Sequence, residues 1–117
     1  MRRVFGDILS AADKFFETAA VYRRHNGTEI HLAMVRGEDA NVLYDGELPQ
    51  AVRRAVFGCD TAALSETGRF VAPASGDTIS LEGGRWRVAE VGGICWRYKF
   101  GLTSKRIEIF AELQRWE

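Results

Sequence analysis

Gly83-Gly84-Arg85-Trp86-Arg87-Val88-Ala89-Glu90-Val91-Gly92-Gly93 is the stretch whose reading decides the fold. Trp86 and Val88 fall on one face and Arg85 and Arg87 on the other, the two-residue period of a half-buried strand. The glycine pairs read as tight turns, so the strand must reverse at both ends. Upstream, Pro73-Ala74-Ser75-Gly76-Asp77 forms a turn before Thr78-Ile79-Ser80-Leu81. Downstream lie Ile94-Cys95-Trp96-Arg97-Tyr98 and a last strand, Arg106 to Leu113. The second half therefore reads as an almost unbroken β-meander.

The pattern extends towards the N-terminus with two interruptions. Thr18–Arg23 and Thr28–Val35 form a hairpin whose turn is His25-Asn26-Gly27; Asn-Gly tolerates the positive φ that short hairpin turns demand. In its second strand Ile30, Leu32 and Met34 face inward, with Glu29 and His31 outward. Residues 36–50 are polar and turn-rich, either a contact-making loop or a disordered insertion. Ala51 to Cys59 returns to a strand, and Asp60 is placed to cap one helical turn through Ala62-Ala63-Leu64. Before all of this, Ile8, Leu9, Ala11, Ala12, Phe15 and Phe16 recur at helical spacing, predicting a helix over 7–17 with Asp7 as N-cap. The expected fold is α+β but mainly β. It is one domain over 1–117, a small antiparallel β-barrel or two-layer sheet with an N-terminal helix, a long loop and a β-rich body over 18–113.

A chain of 117 residues can bury one core without staples. Its sixteen basic and sixteen acidic residues cancel, so bulk charge does not favour nucleic acid. The basic pairs Arg2-Arg3, Arg23-Arg24 and Arg53-Arg54 read as solvated surface. No apolar run is long enough to cross a bilayer, and no hydrophobic region follows the N-terminal arginines as a secretory signal would require. Manufacture in the cytoplasm is expected, with Cys59 and Cys95 as buried free thiols.

Candidates for chemistry are few. His25 and His31 belong to no metal-binding spacing, and no Cys-x-x-Cys occurs. Neither glycine pair is followed by the Lys-Ser/Thr of a phosphate loop. We expect no catalytic residue, cofactor or metal. Two rival classes remain. Trp86, Trp96, Tyr98 and Phe100, interleaved with Arg85, Arg87, Arg97 and Lys99, would suit a single-stranded nucleic-acid-binding β-barrel module; the same alternation arises when the aromatics face the core, which we prefer. A small enzyme would need Cys59 or Cys95 as nucleophile.

The runs 57–64, 71–79 and 84–88, with Trp96-Arg97 and Arg106-Ile107-Glu108-Ile109, resemble tailed-phage head–tail joining proteins, also called head completion or tail attachment proteins. The shared pattern is a strand and helical turn before Pro-x-x-Gly-Asp-x-Ile, a Gly-x-x-Tyr/Trp-x-Val hairpin strand and a closing Arg-Ile strand. It covers roughly 51–113. Trp86 stands where tyrosine is usual, and Glu108 and Glu112 extend a charged face on the last strand. The resemblance implies a non-catalytic virion assembly protein of phage or prophage, made in the bacterial cytoplasm as a monomer. It would form a ring between portal and tail, through which DNA passes without specific binding. On that reading the assembly interface is drawn from Arg2, Arg3, Arg36, Gly37, Glu38, Asp39, Ala40, Asn41 and Tyr44.

Overall fold

The computed structural model describes residues 17–37, 53–99 and 105–116. Nine strands form among them: β1 Thr18–Arg23, β2 Glu29–Gly37, β3 Arg54–Asp60, β4 Ser65–Glu66, β5 Arg69–Phe70, β6 Thr78–Leu81, β7 Gly84–Val88, β8 Trp96–Tyr98 and β9 Arg106–Trp116. A single 3-10 turn, Thr61–Leu64, is the helical element of the described residues. The main sheet runs β3-β2-β1-β6-β7-β9, and β9 returns to β3. The result is a closed six-strand antiparallel barrel rather than two stacked layers.

Closure rests on β9. One edge pairs with β3 from Arg54↔Glu112 to Asp60↔Arg106 without a break in register. The other pairs with β8 near its start and with β7 near its end. A small barrel is filled by its own inward side chains. Here Tyr22, Met34, Phe57, Ile79, Trp86, Val88, Ile107 and Ile109 are completely buried. Phe57 meets Trp86 edge-to-face at 5.2 Å between ring centroids. The expected inward set of β2 holds, with Met34 buried, Ile30 and Leu32 packed against the core, and Glu29 and His31 exposed.

One mouth is plugged. The 3-10 turn carries Leu64 into the core, and the β4–β5 hairpin brings Phe70 against Trp96 at 5.3 Å, which in turn meets Tyr98 at 5.2 Å. Asp60 occupies the N-cap position of the 3-10 turn but makes no capping bond. Its carboxylate instead accepts from Arg106 Nη1 at 2.9 Å. At the opposite mouth lie the start of β1, the end of β2, the β6–β7 turn and the end of β9.

Several expectations need correction. The helix over 7–17 falls outside the described residues except for Glu17, which is irregular and accepts from Arg106 Nη1 at 3.2 Å. Arg36 and Gly37 belong to β2, paired with Phe57 and Val56, so the loop does not begin at Arg36. The first hairpin turn uses positive φ at Gly27 alone. Gly27 N–H donates to Arg24 O, and the Asn26 side chain caps Thr28 N–H instead. This is a three-residue loop with the glycine in the left-handed position. The second turn is Glu82-Gly83, at φ 48° and 79°, one residue earlier than the glycine pair suggests. Strand β7 ends at Val88, and β8 does not pair with it; both lie along β9. Gly92-Gly93 closes only the isolated Val91↔Ile94 bridge. β9 runs on past Leu113 to Trp116 by way of a bulge. Arg24 and Arg54, expected on the surface, are buried.

Gly84 is buried because two indoles close over it. A Cβ there would lie 2.8 Å from Trp86 Nε1 and 2.9 Å from Trp116 Cζ3. Gly84→Ala should therefore cost about 1–3 kcal/mol through overpacking, read as a lower midpoint in thermal unfolding. An unchanged midpoint would contradict this close approach.

Candidate functional site

At the plugged mouth the described residues make a dense polar knot. Asp77 ends the Pro73–Asp77 turn and is almost completely buried. Its Oδ2 accepts from Tyr22 Oη at 2.5 Å and from Ala74 N–H at 3.0 Å. Oδ1 accepts from His25 N–H at 3.0 Å, with His25 Nδ1 at 3.3 Å. A buried carboxylate so supplied with donors is stable as an anion. Burial pushes the Asp77 pKa up, but the bonds from Tyr22, Ala74 and His25 outweigh it and hold the group below the ordinary carboxylate value. Burial, and then the Asp77 anion, push the Tyr22 phenol far above its ordinary value.

Arg24 extends the knot. Its Nε donates to Glu66 Oε1 at 2.8 Å, and Nη2 donates to the carbonyls of Leu64 and Val71 at 3.1 and 3.0 Å. Nη1 reaches Ala72 O at 3.3 Å, and the guanidinium stands 5.6 Å from the Tyr22 ring centroid. One side chain thus ties the β1–β2 hairpin to the 3-10 turn and the β4–β5 hairpin. Tyr22, Arg24 and Asp77 were not readable as a unit, being 2 to 55 positions apart. The one available signal was an Asp at the end of a glycine turn, which reads equally well as a simple turn residue.

The knot resembles a proton-transfer site only in part. The His25 imidazole is 72% exposed and lies beside a buried carboxylate, as an oriented general base would. Yet neither thiol hydrogen-bonds to a histidine. Cys95 Sγ donates to Pro73 O at 3.4 Å. Burial, then the charge of Glu90, raise its pKa. Burial pushes the Cys59 thiol up to about 12. Both changes oppose thiolate formation. Among the described residues no group of three His, Cys, Asp or Glu could hold a metal ion.

The barrel wall offers a different feature. A shallow open trough of about 530 Å³ runs over β2, β1 and β6, lined by Ala19, Val21, His31, Ala33, Ser80 and the Gly83 turn among others. Ala19 lies opposite Ala33, and Val21 opposite both His31 and Ser80. An outward strand face in water ordinarily carries larger polar side chains. Glu82 stands at the rim, accepting from Thr18 Oγ1 at 3.2 Å.

The proposed nucleic-acid platform is divided. Trp86 is inside the barrel, whereas Trp96 and Tyr98 lie on β8 against the core beside Phe70, and Phe100 is outside the described residues. Arg97, on the outer side of β8, bonds Glu108 Oε1 at 3.1 Å. Of the candidate interface residues, Arg36 reaches over Trp86 with its guanidinium 5.7 Å from the ring centroid, and Gly37 ends β2. Arg2, Arg3, Glu38, Asp39, Ala40, Asn41 and Tyr44 lie outside the described residues. Trp116, exposed at the same mouth as Arg36, escaped sequence reading because the last strand was expected to end at Leu113.

Comparison with known proteins assigns no family: no family model matches the chain, and neither a curated protein nor a solved structure is significantly similar.

Two outcomes follow from the site chemistry. Asp77 contributes stability that is present above the unfolded carboxylate value of about 3.9 and is lost as pH falls through the lower folded value. The stability gap between wild type and Asp77→Asn, measured by urea unfolding, should be full at neutral pH and shrink in acid. Tyr22 has the opposite sign: its contribution is present below about pH 10 and is lost as pH rises above it. A gap that does not vary with pH would contradict the Asp77 assignment. Separately, iodoacetamide should label Cys59 only as the protein unfolds; rapid native labelling would restore it as a reactive thiol.

Proposed function

We propose that this chain is a structural virion assembly protein joining the head, at its portal, to the tail of a phage or prophage particle. It acts as a ring-forming connector subunit without catalysis. The observation that carries the reading is the small-residue trough on the outer wall. Ala19 and Ala33 are exposed positions where charge would be tolerated, and they instead leave room for a neighbour's side chains. The sequence pattern from Phe57 to Val88 and the closing Arg106-Ile107 strand supports the same assignment.

A ring requires a heterologous contact, in which one patch of a subunit receives a different patch of the next. The trough serves as the receiving patch. The inserting patch is drawn from Glu38, Asp39, Ala40, Asn41 and Tyr44, with Arg2 and Arg3 as a further contact. A subunit monomeric when made and assembled only on the particle needs such contacts to be individually weak, which a shallow groove supplies. In this reading the particle is the place of action, and portal and tail proteins are the partners.

The test uses the trough. Ala33→Arg should shift folding stability by no more than about 0.5 kcal/mol, since the position is exposed. It should nevertheless fail to restore joined particles when supplied to a phage lacking the wild-type gene, leaving separate heads and tails visible by electron microscopy. Normal yields of infectious particles from a stably expressed variant would contradict the trough assignment. Joined particles without any copy of this protein would contradict the function.

A further inference from the structure

Among the described residues two large apolar side chains stay exposed, Ile94 and Trp116. Trp116 packs on Gly84 and Trp86, whereas Ile94 is carried outward on a tight turn. Val91 N–H donates to Ile94 O at 2.8 Å, and Ile94 N–H donates to Val91 O at 3.3 Å. Gly92 and Gly93 between them take φ 62° and 86°, the positive values that a two-residue hairpin turn asks of both central positions. A Cβ added at either glycine would meet nothing within 4 Å, so the tip stands clear of the barrel. Its base is anchored: Val91 packs on Val56 and Phe110, outward residues of β3 and β9. Ile94 is thus held out to water on a fixed support.

The trough lies on the other side of the molecule. Round the closed sheet β1 is three strands from β9 in either direction, so the wall over β2, β1 and β6 faces away from the wall that carries the turn. A knob on one wall and a recess on the opposite wall let each copy engage the next head to tail. The recess has a small apolar floor, Ala19, Val21 and Ala33, against which a branched aliphatic side chain can pack. The charges agree with this pairing. Glu90, beside the turn, is exposed and makes no ion pair among the described residues. On its β6 side the trough is bordered by β7, whose Arg87 is exposed and meets no carboxylate among the described residues. Glu82, the acid at the rim, is already engaged by Thr18.

We propose that the Val91–Ile94 turn of one subunit seats Ile94 in the trough of a second copy of this chain, with Glu90 on the side of the trough that β7 borders. The inference rests on the connector reading in taking the trough as the receiving patch. It adds a fixed anchor to the contact assigned there to residues 38–44. Two copies meeting trough to trough would leave Ile94 in water. A contact made by one turn falls well below the roughly 1,200 Å² of a stable interface. The isolated chain is therefore monomeric when dilute and associates where copies are gathered.

The test uses the full chain carrying Cys95→Ser, whose hydroxyl can keep the bond to Pro73 O, with Cys59 left in place because it is buried. Ile94→Cys chains and Ala33→Cys chains are mixed at high concentration with a short bis-maleimide, one of the two bearing an affinity tag. The mixture should give a cross-linked pair with one chain of each kind, and neither variant alone should give one. A chain with both substitutions should give a ladder of higher multimers. In sedimentation over a range of concentrations, Ile94→Asp in the otherwise wild-type chain should weaken self-association at least about tenfold while the chain stays folded. No cross-link in the mixture would overturn the inference. So would equal cross-linking of Ala33→Cys alone, and so would wild-type association of Ile94→Asp. Phage assembly separates this inference from the connector reading. If Ala33→Arg blocks joining and Ile94→Asp does not, the trough receives another segment and only this inference falls. A specific cross-link in a protein that joined particles do without would leave the insertion standing and remove the connector function.

Discussion

β9 is hydrogen-bonded along both of its edges, and the rest of the molecule is arranged around that fact. On one side it holds β3 through an unbroken antiparallel register; on the other it holds β8 and then β7. A sheet with an unpaired long edge invites association with other chains, and closing the sheet removes that edge. It also commits one face of six strands to a single interior, where Trp86, Tyr22, Phe57 and Met34 fill the space. Once the barrel is closed, the strands contribute contacts only through the outer wall and the two ends.

The two ends are treated differently, and the difference is chemical. Arg24 and Asp77 draw the first hairpin, the 3-10 turn and the β4–β5 hairpin together with bonds to carbonyls, a phenol and backbone amides. Buried charges are tolerated in proteins when fully supplied with partners. That end is spent on structure. The opposite end leaves the Trp116 indole half exposed, packed on Gly84 and Trp86. A rigid frame presenting pre-placed groups binds at a lower entropic cost than a flexible segment.

Much of the barrel was legible in the sequence because its signals are local. The alternation in Arg85-Trp86-Arg87-Val88, the inward set Ile30, Leu32 and Met34, and the Asn26-Gly27 turn each depend on a few adjacent residues. What was not legible depends on partners distant in sequence. No local pattern says that β7 and β8 both lie against β9 rather than against each other. None says that Arg24 is drawn inside by carbonyls some forty positions later. The polar character of Arg36 suggested a loop, but its guanidinium is placed over an aromatic ring at the barrel mouth, a position that suits a long cationic side chain. Turn positions moved by one residue because Glu82 adopts positive φ in place of Gly84, whose lack of a side chain is needed for packing instead. The interface candidates at Glu38, Asp39, Ala40, Asn41 and Tyr44 came from a loop that the family resemblance offered for docking, whereas the trough is defined by small residues on neighbouring strands.

Native-state amide hydrogen exchange tests the closure of the barrel most directly. Core ladders open only with global unfolding, whereas detachable edges exchange through smaller local openings. The amides that join β3 to β9 should exchange with the same free energy as those joining β9 to β7. Fast exchange along the β3–β9 ladder, with the remaining pairings still protected, would mean an open sheet and would contradict the account.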